Sequence, residues 1–165
     1  FSQVMHAYTE LLAGQAPTLQ SPDLSYRDFI ALEQRTLQAA ETQQFWRDQM
    51  ASLPEAKVPE ASGADELAYP DMRVVTIDRS LSDQLKAFAQ REGVALKFVL
   101  LGAHMKALSA LLQSDDVVSG VVLNGRLERA GGEEHIGMFL NSLPFRLNLA
   151  GHSWHSLVHA CMEHE

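Results

Sequence analysis

The stretch between Asp116 and Arg146 restricts this chain more than any other. Asp116–Arg126 reads DVVSGVVLNGR and Ile136–Arg146 reads IGMFLNSLPFR. Within the first, Val117–Leu123 is a short continuous apolar run. Such a run predicts a central strand covered on both faces. It ends in Asn-Gly-Arg. Leu127–His135, with Gly131-Gly132 and Glu133-Glu134, is expected to be a loop. An Asn-Ser-Leu-Pro turn then leads into Leu143–Leu149. Here Leu143, Phe145, Leu147 and Leu149 point one way, and Pro144, Arg146 and Asn148 the other. Polar groups that a core would reject therefore gather at the ends of apolar strands, where sites are usually built.

The flanking segments supply helices. Phe1–Ala13 places Phe1, Val4, Met5, Tyr8, Leu11 and Leu12 on one face, with Ser2 able to cap the start and Gly14 to end it. Gln15–Leu24 holds Pro17 and Pro22 and reads as a connection. Ser25–Asp28 has the spacing of a capping box for a helix to about Ala39. A further turn begins at Glu41, lined by Phe45, Trp46, Met50 and Leu53, and stops at Pro54; the two could be one helix kinked near Ala39–Thr42. Glu55–Asp71, with Pro59, Ser62, Gly63 and Pro70, is the best linker. It predicts an architectural boundary, with residues 1–61 on one side, 62–71 as linker and 72–165 on the other.

Beyond the linker, Met72–Asp78 is rich in β-branched residues and predicts a strand. A helix capped by Ser80 or Ser82 follows, with Leu81, Leu85, Phe88 and Ala89 as its stripe and Gly93 as its end. Ala95–Gln113 is apolar on most faces, which predicts a buried helix. A last helix opens at His152 or Ser153 and runs through Trp154, Leu157, Val158 and Cys161. The order after the linker is β-α-α-β-loop-β-α, so the class is α/β.

The totals exclude several functions. The 165 residues are 46% hydrophobic, enough for one core. A formal net charge of -8 with no Lys/Arg-rich block argues against a nucleic-acid partner. No run approaches the ~20 apolar residues of a membrane span. Cys161 is the only cysteine, so no intrachain disulfide can form, and a reducing cytoplasmic setting is expected. The chain begins at Phe1 and its last helix has no stop signal before Glu165. Both ends read as cut.

Several residues invite a chemical reading. His155 and His159 share a helix face, as zinc ligands can, but no HExxH pattern and no third ligand are marked, so no metal is expected. Cys161 reads as a small buried apolar residue. Ser119 and Ser142 lie in no GxSxG elbow, and Gly131-Gly132 lacks the Lys-Ser/Thr of a phosphate loop. Arg126 follows the apolar strand; if buried it needs a carboxylate or a bound anion, and otherwise it is an exposed loop residue. Asn141 either donates to a carbonyl or simply forms its turn. The residues alone define an α/β piece with a polar strand-end cluster and no nameable acid or base.

Four stretches resemble a known family, the condensation domains of nonribosomal peptide synthetases, within the chloramphenicol acetyltransferase-like superfamily. Tyr26-Arg-Asp28-Phe29 resembles its Y-x-D-F/Y motif. Glu41–Pro54, ETQQFWRDQMASLP, resembles its E-x-x-x-x-W-x-x-x-L-x-x-L-P helix, with Met50 where Leu is common. DDVVSGVVLNGR is similar to D-D-V-V-x-G-x-x-x-S-G-R, with Asn124 in place of Ser. IGMFLNSLPFR is similar to V/I-G-x-F-x-N-T-L-P-x-R, with Ser142 in place of Thr. The family's catalytic signature, HHxxxDG, does not occur in the sequence.

The resemblance implies a partial chloramphenicol acetyltransferase-like α/β sandwich, a mixed sheet with flanking helices. It implies a parent domain that joins a carrier-bound acyl or peptidyl donor thioester to an aminoacyl acceptor thioester as an amide. The substrates ride on the 4′-phosphopantetheine of carrier-protein domains, and no cofactor is bound directly. Carrier domains and adjacent synthetase domains are the implied partners. The resemblance gives this chain no catalytic residue. It implies supporting roles for Arg126, as counter-ion of the signature's Asp, for Gly137 and Asn141, as a tunnel wall, and for Tyr26 and Asp28. The piece alone is expected to be inactive and prone to self-association. A non-catalytic carrier- or partner-docking module of the same fold and a coenzyme A-dependent acyltransferase remain as alternatives.

Overall fold

The computed structural model describes residues 2–18, 26–53, 55, 74–126, 132 and 136–165. Its elements are α1 (Ser2–Leu12), α2 (Tyr26–Gln38), α3 (Ala40–Gln49), α4 (Arg79–Glu92), α5 (Leu96–Leu112), β1 (Asp116–Asn124), β2 (Leu140–Asn148) and α6 (Trp154–His164). The Ser2 side chain, Ser25, the 62–71 linker and the Leu127–His135 loop except Gly132 lie outside what the structure describes. Two compact units emerge. One comprises residues 1–43 and 124–141, the other residues 44–123 and 142–165.

In the first unit, α1 ends as its glycine predicts: Gly14 has φ +71° and the Gln15 amide donates to the Glu10 carbonyl at 2.9 Å. The apolar face of α1 is on the surface, with Val4, Met5, Tyr8, Leu11 and Leu12 all exposed. Ala39 alone interrupts the helical run between α2 and α3, a break at the start of the expected Ala39–Thr42 kink. Gln43 Nε2 bridges the break by donating to the Leu37 carbonyl at 3.1 Å.

The second unit holds the core. α4 is capped by Asp78, whose Oδ1 accepts from the Leu81 amide at 2.8 Å, rather than by Ser80 or Ser82. Carboxylates cap as well as hydroxyls and also favour the positive end of a helix. Gly93 (φ +69°) closes α4 with a Schellman turn, Val94 N–H to Ala89 carbonyl and Gly93 N–H to Gln90 carbonyl. Residues 74–78 form no strand. Val74, Val75 and Ile77 are exposed, and no ladder partner exists among the described residues. A β-branched run becomes a strand only when another strand satisfies its backbone.

α5 is apolar all round, yet it buries one side only. Phe98, Val99, Gly102 and Met105 face inward while Leu100 and Leu111 are exposed. Gly102 faces α6, where a Cβ would touch Leu157 at 3.4 Å. Met105, Leu157, Val158 and Cys161 are fully buried, each side chain contributing roughly 1.5–3 kcal/mol of burial if like a Leu or Met. The Leu149 amide donates to the Asp115 carbonyl and the Gly125 amide to the Phe139 carbonyl, so β1 and β2 are antiparallel. Phe145, Leu147 and Leu149 are buried, as the alternation predicts, but β2 begins at Leu140, so Asn141–Pro144 is extended strand paired to β1 rather than the expected turn. β1 differs from its expectation. Val117 is buried but Val122 is 63% exposed, so the strand is covered on one face. Counting back from Leu149, the nitrogen of Pro144 faces away from β1, and no ladder bond to β1 is lost.

Arg146 ties this unit together. Its Nε and Nη2 grip Asp116 Oδ1 and Oδ2 at 2.9 and 2.6 Å. Its Nη1 donates to the carbonyls of Gln49 and Ala51, both at 2.7 Å. The guanidinium thus pairs diagonally across the sheet and closes the carbonyl end of α3. The bonds from Arg146 hold the Asp116 carboxyl below its ordinary 3.8, against a smaller opposing effect of burial. Ser153 caps α6 by accepting from the Ser156 amide at 3.2 Å.

Among the described residues no single helix is long and apolar enough to cross a membrane.

Two outcomes follow for the complete domain. A carboxyl whose folded pKa is depressed contributes stability above its unfolded value, and that contribution disappears as pH falls through the folded value. We therefore predict a falling denaturation midpoint between about pH 5 and pH 2, with a shallower fall in Asp116→Asn; equal slopes would remove the pair from the stability account. Burial pushes the Cys161 thiol up to about 11. At about pH 8 only some one in a thousand of these thiols is ionised, so native Cys161 should resist iodoacetamide and react on unfolding. Rapid native labelling would contradict its placement.

Candidate functional site

The strand-end cluster assembles around Phe139. β1 ends at Asn124, and the chain turns through Gly125 and Arg126. The Gly125 amide donates to the Phe139 carbonyl at 2.8 Å. The fit at Gly125 is tight: a Cβ would lie 3.1 Å from Phe29 Cε2 and 3.4 Å from the Phe139 carbonyl oxygen, so the Phe29 ring would have to shift by a few tenths of an ångström. Phe29 and Tyr26, one turn apart on α2, both meet Phe139. The Phe29–Phe139 centroids are 5.0 Å apart and the Tyr26–Phe139 centroids 5.4 Å, both edge-to-face. Such pairs contribute about 0.5–1.5 kcal/mol beyond burial. Tyr26 Oη donates to the Met138 carbonyl at 3.2 Å.

Gly137 lies flat against Tyr26. A Cβ there would stand 2.4 Å from Tyr26 Cδ2 and 2.9 Å from Cγ, so the whole ring would have to move. The glycine is required by close approach. Arg126 is half-buried, between the two alternatives that its sequence left open. Its guanidinium carbon sits 4.2 Å from the Phe139 ring centroid. Its Nη1 donates to the Gly132 carbonyl at 2.9 Å, and its own amide donates to Asn124 Oδ1 at 3.2 Å.

Tyr26 and Arg126 thus meet at the Phe139 ring, and Gly137 packs against the Tyr26 ring. Asp28 is exposed in the first turn of α2, where a carboxylate suits the helix dipole, and Asn141 is exposed near the start of β2. Phe139 was not singled out from the sequence, although it organises the cluster; its signal was its place between Gly137 and Asn141. The contacts to that ring among the described residues come from a guanidinium and two aromatic rings. The arrangement can position a loop and present a cation, an amide and a phenol. The paired histidines lie elsewhere: His155 and His159 flank Glu92 in the second unit, a third donor that sequence spacing did not mark.

Comparison with solved structures gives the fold. The X-domain from teicoplanin biosynthesis matches with a TM-score of 0.71 at 24% identity, over 96% of this chain and 38% of that one. The first condensation domain of the CDA synthetase matches at 0.66 and 23% identity, over 97% and 36%. The fold is thus part of a chloramphenicol acetyltransferase-like α/β fold. The Condensation domain family model matches residues 1–164, and the chain belongs to that family. It is 35% identical over 147 residues to the AMB antimetabolite synthetase AmbE of Pseudomonas aeruginosa, covering 88% of this chain and 7% of that synthetase. It is 30% identical over 177 residues to the malpibaldin synthetase of Mortierella alpina, covering 99% of this chain and 3% of that synthetase. The chain spans less than a tenth of these curated relatives.

We predict that Gly137→Ala costs about 1–3 kcal/mol through displacement of the Tyr26 ring, whereas Tyr26→Phe costs under about 1 kcal/mol. Chemical denaturation of the complete domain measures both. A Gly137→Ala variant as stable as wild type would refute the close approach.

Proposed function

We propose that this chain forms the supporting part of an amide-forming condensation site. The parent domain would take an acyl or peptidyl thioester and an aminoacyl thioester, each carried as substrate on the phosphopantetheine arm of a carrier domain, in the cytoplasm. The acceptor nitrogen attacks the donor carbonyl. A C–N bond forms, the C–S bond breaks, and the carrier thiol leaves with a proton that the amine gives up. A neutral amine is already a nucleophile, so the reaction depends mainly on orientation. The observation that carries this reading is the family match over residues 1–164, with the family's strand-end motif folded around Phe139.

In this reading the guanidinium of Arg126 is a positioning group. It is held over Phe139 and by the Gly132 carbonyl, and it presents charge to the aspartate of an HHxxxDG segment contributed by the rest of the parent domain. Gly137 and Asn141 would line the substrate passage, with Tyr26 and Asp28 fixing its outer wall. The chain by itself would be inactive. A docking role without turnover is the second reading. It is favoured by the likeness to the teicoplanin X-domain, which has been solved in complex with OxyB.

The test uses the full synthetase with loaded carrier domains. Arg126→Ala should lower condensation roughly 10²-fold, as misplaced catalytic groups do, with carrier loading unchanged and Arg126→Lys recovering only part. Wild type without condensation activity would favour docking alone. An active wild type with an equally active Arg126→Ala would remove the role assigned to Arg126.

A further inference from the structure

Glu92 is the last residue of α4, directly before the left-handed Gly93. Its side chain is only 3% exposed. A buried carboxylate is costly unless paired, and the carbonyl end of a helix raises that cost by adding negative potential. One oxygen, Oε1, has Arg91 Nε at 3.5 Å. That guanidinium is itself engaged over the Phe88 ring, at 5.2 Å from its centroid, and its side chain is 69% exposed. The other oxygen, Oε2, is buried without a well-formed hydrogen bond.

That oxygen faces two imidazoles. His155 and His159 stand one turn apart on α6 with ring centroids 5.7 Å apart and planes at 87°. His155 turns Nδ1 to Oε2, and His159 brings Nε2 to 3.7 Å from it. The three donor atoms all lie within 4.8 Å of one another. Ligands about 2.0–2.1 Å from a tetrahedral ion are separated by roughly 3.3 Å, so small side-chain rotations bring all three onto one ion. Two imidazole nitrogens and one carboxylate oxygen are a donor set for borderline divalent ions rather than for magnesium or calcium.

We propose that Glu92, His155 and His159 form a binding site for a divalent transition cation of the zinc class. The ion supplies the positive charge that the buried carboxylate needs. It also fastens the carbonyl end of α4 to the first turns of α6. With His155 exposed and three protein ligands, the remaining coordination position opens to water, so the site is accessible to exchange. No group of the Phe139 cluster is involved.

The test is a titration of the chelator-stripped full-length protein with Co²⁺, followed by Zn²⁺. Wild type should gain a visible cobalt d–d absorption amounting to one equivalent per chain, which Zn²⁺ displaces and millimolar Mg²⁺ does not. His155→Gln, His159→Gln and Glu92→Gln should each weaken that equivalent at least ~10-fold, because removing a ligand costs no less than removing its supporting partner. His155 is 72% exposed, so its variant keeps the fold even if Glu92→Gln does not. Identical cobalt binding by wild type and His155→Gln would overturn the proposal. So would equal displacement by Mg²⁺, which would mark an oxygen-ligand site elsewhere.

Discussion

The bidentate pair between Arg146 and Asp116 is the contact on which the second unit most depends. Both residues lie on the polar side of the sheet, about four-fifths withdrawn from water. There a charge has lost much of its hydration and must be repaid by geometry. Arg146 meets the requirement with a planar fork that engages both oxygens of Asp116 and still has Nη1 available for two carbonyls. A lysine would hold the charge without that shape. The carbonyls belong to Gln49 and Ala51 at the end of α3, groups a helix leaves without internal partners. One side chain thus fixes the strand pairing and ends a helix. The chain beyond α3 then passes through Ser52 in a left-handed conformation, φ +52°.

Much of the scaffold was legible because it is periodic. α4 and α6 follow the spacing of their apolar residues, α5 follows its unbroken apolar run, Gly93 and Gly14 end helices in the conformation glycine permits, and β2 alternates from Leu143 to Leu149 as written. Residues 74–78 were misread because β-branched composition does not carry the partner strand that a ladder needs. The depth of burial of α5 and β1 was overestimated for a related reason. A run of apolar residues shows that two faces could be covered, not that elements are present to cover them.

The candidate site was legible only in part. Arg126, Gly137 and Tyr26 stood out through their motifs; the structure places Arg126 and Tyr26 on the Phe139 ring and Gly137 against Tyr26. The reason for Gly137 could not be read from its neighbours, because Tyr26 lies more than a hundred residues earlier. Arg146 was noted only as the end of a motif, since its partners are remote. The same holds for Glu92: two histidines four apart announce themselves, but the carboxylate between them comes from another helix. Local patterns reveal faces and ends. Groups that meet through the fold leave no spacing to find.

Pro144 has a consequence for the sheet's outer edge. Its nitrogen points away from β1, so the free side of β2 lacks a donor near its middle. A strand approaching from that side meets a gap in the ladder and the pyrrolidine ring beside it. Among the described residues no strand pairs with that side of β2, and Pro144 makes it a poor template for one. The proline that closes the Asn-Ser-Leu-Pro segment within β2 thus makes that side of the strand hard to extend.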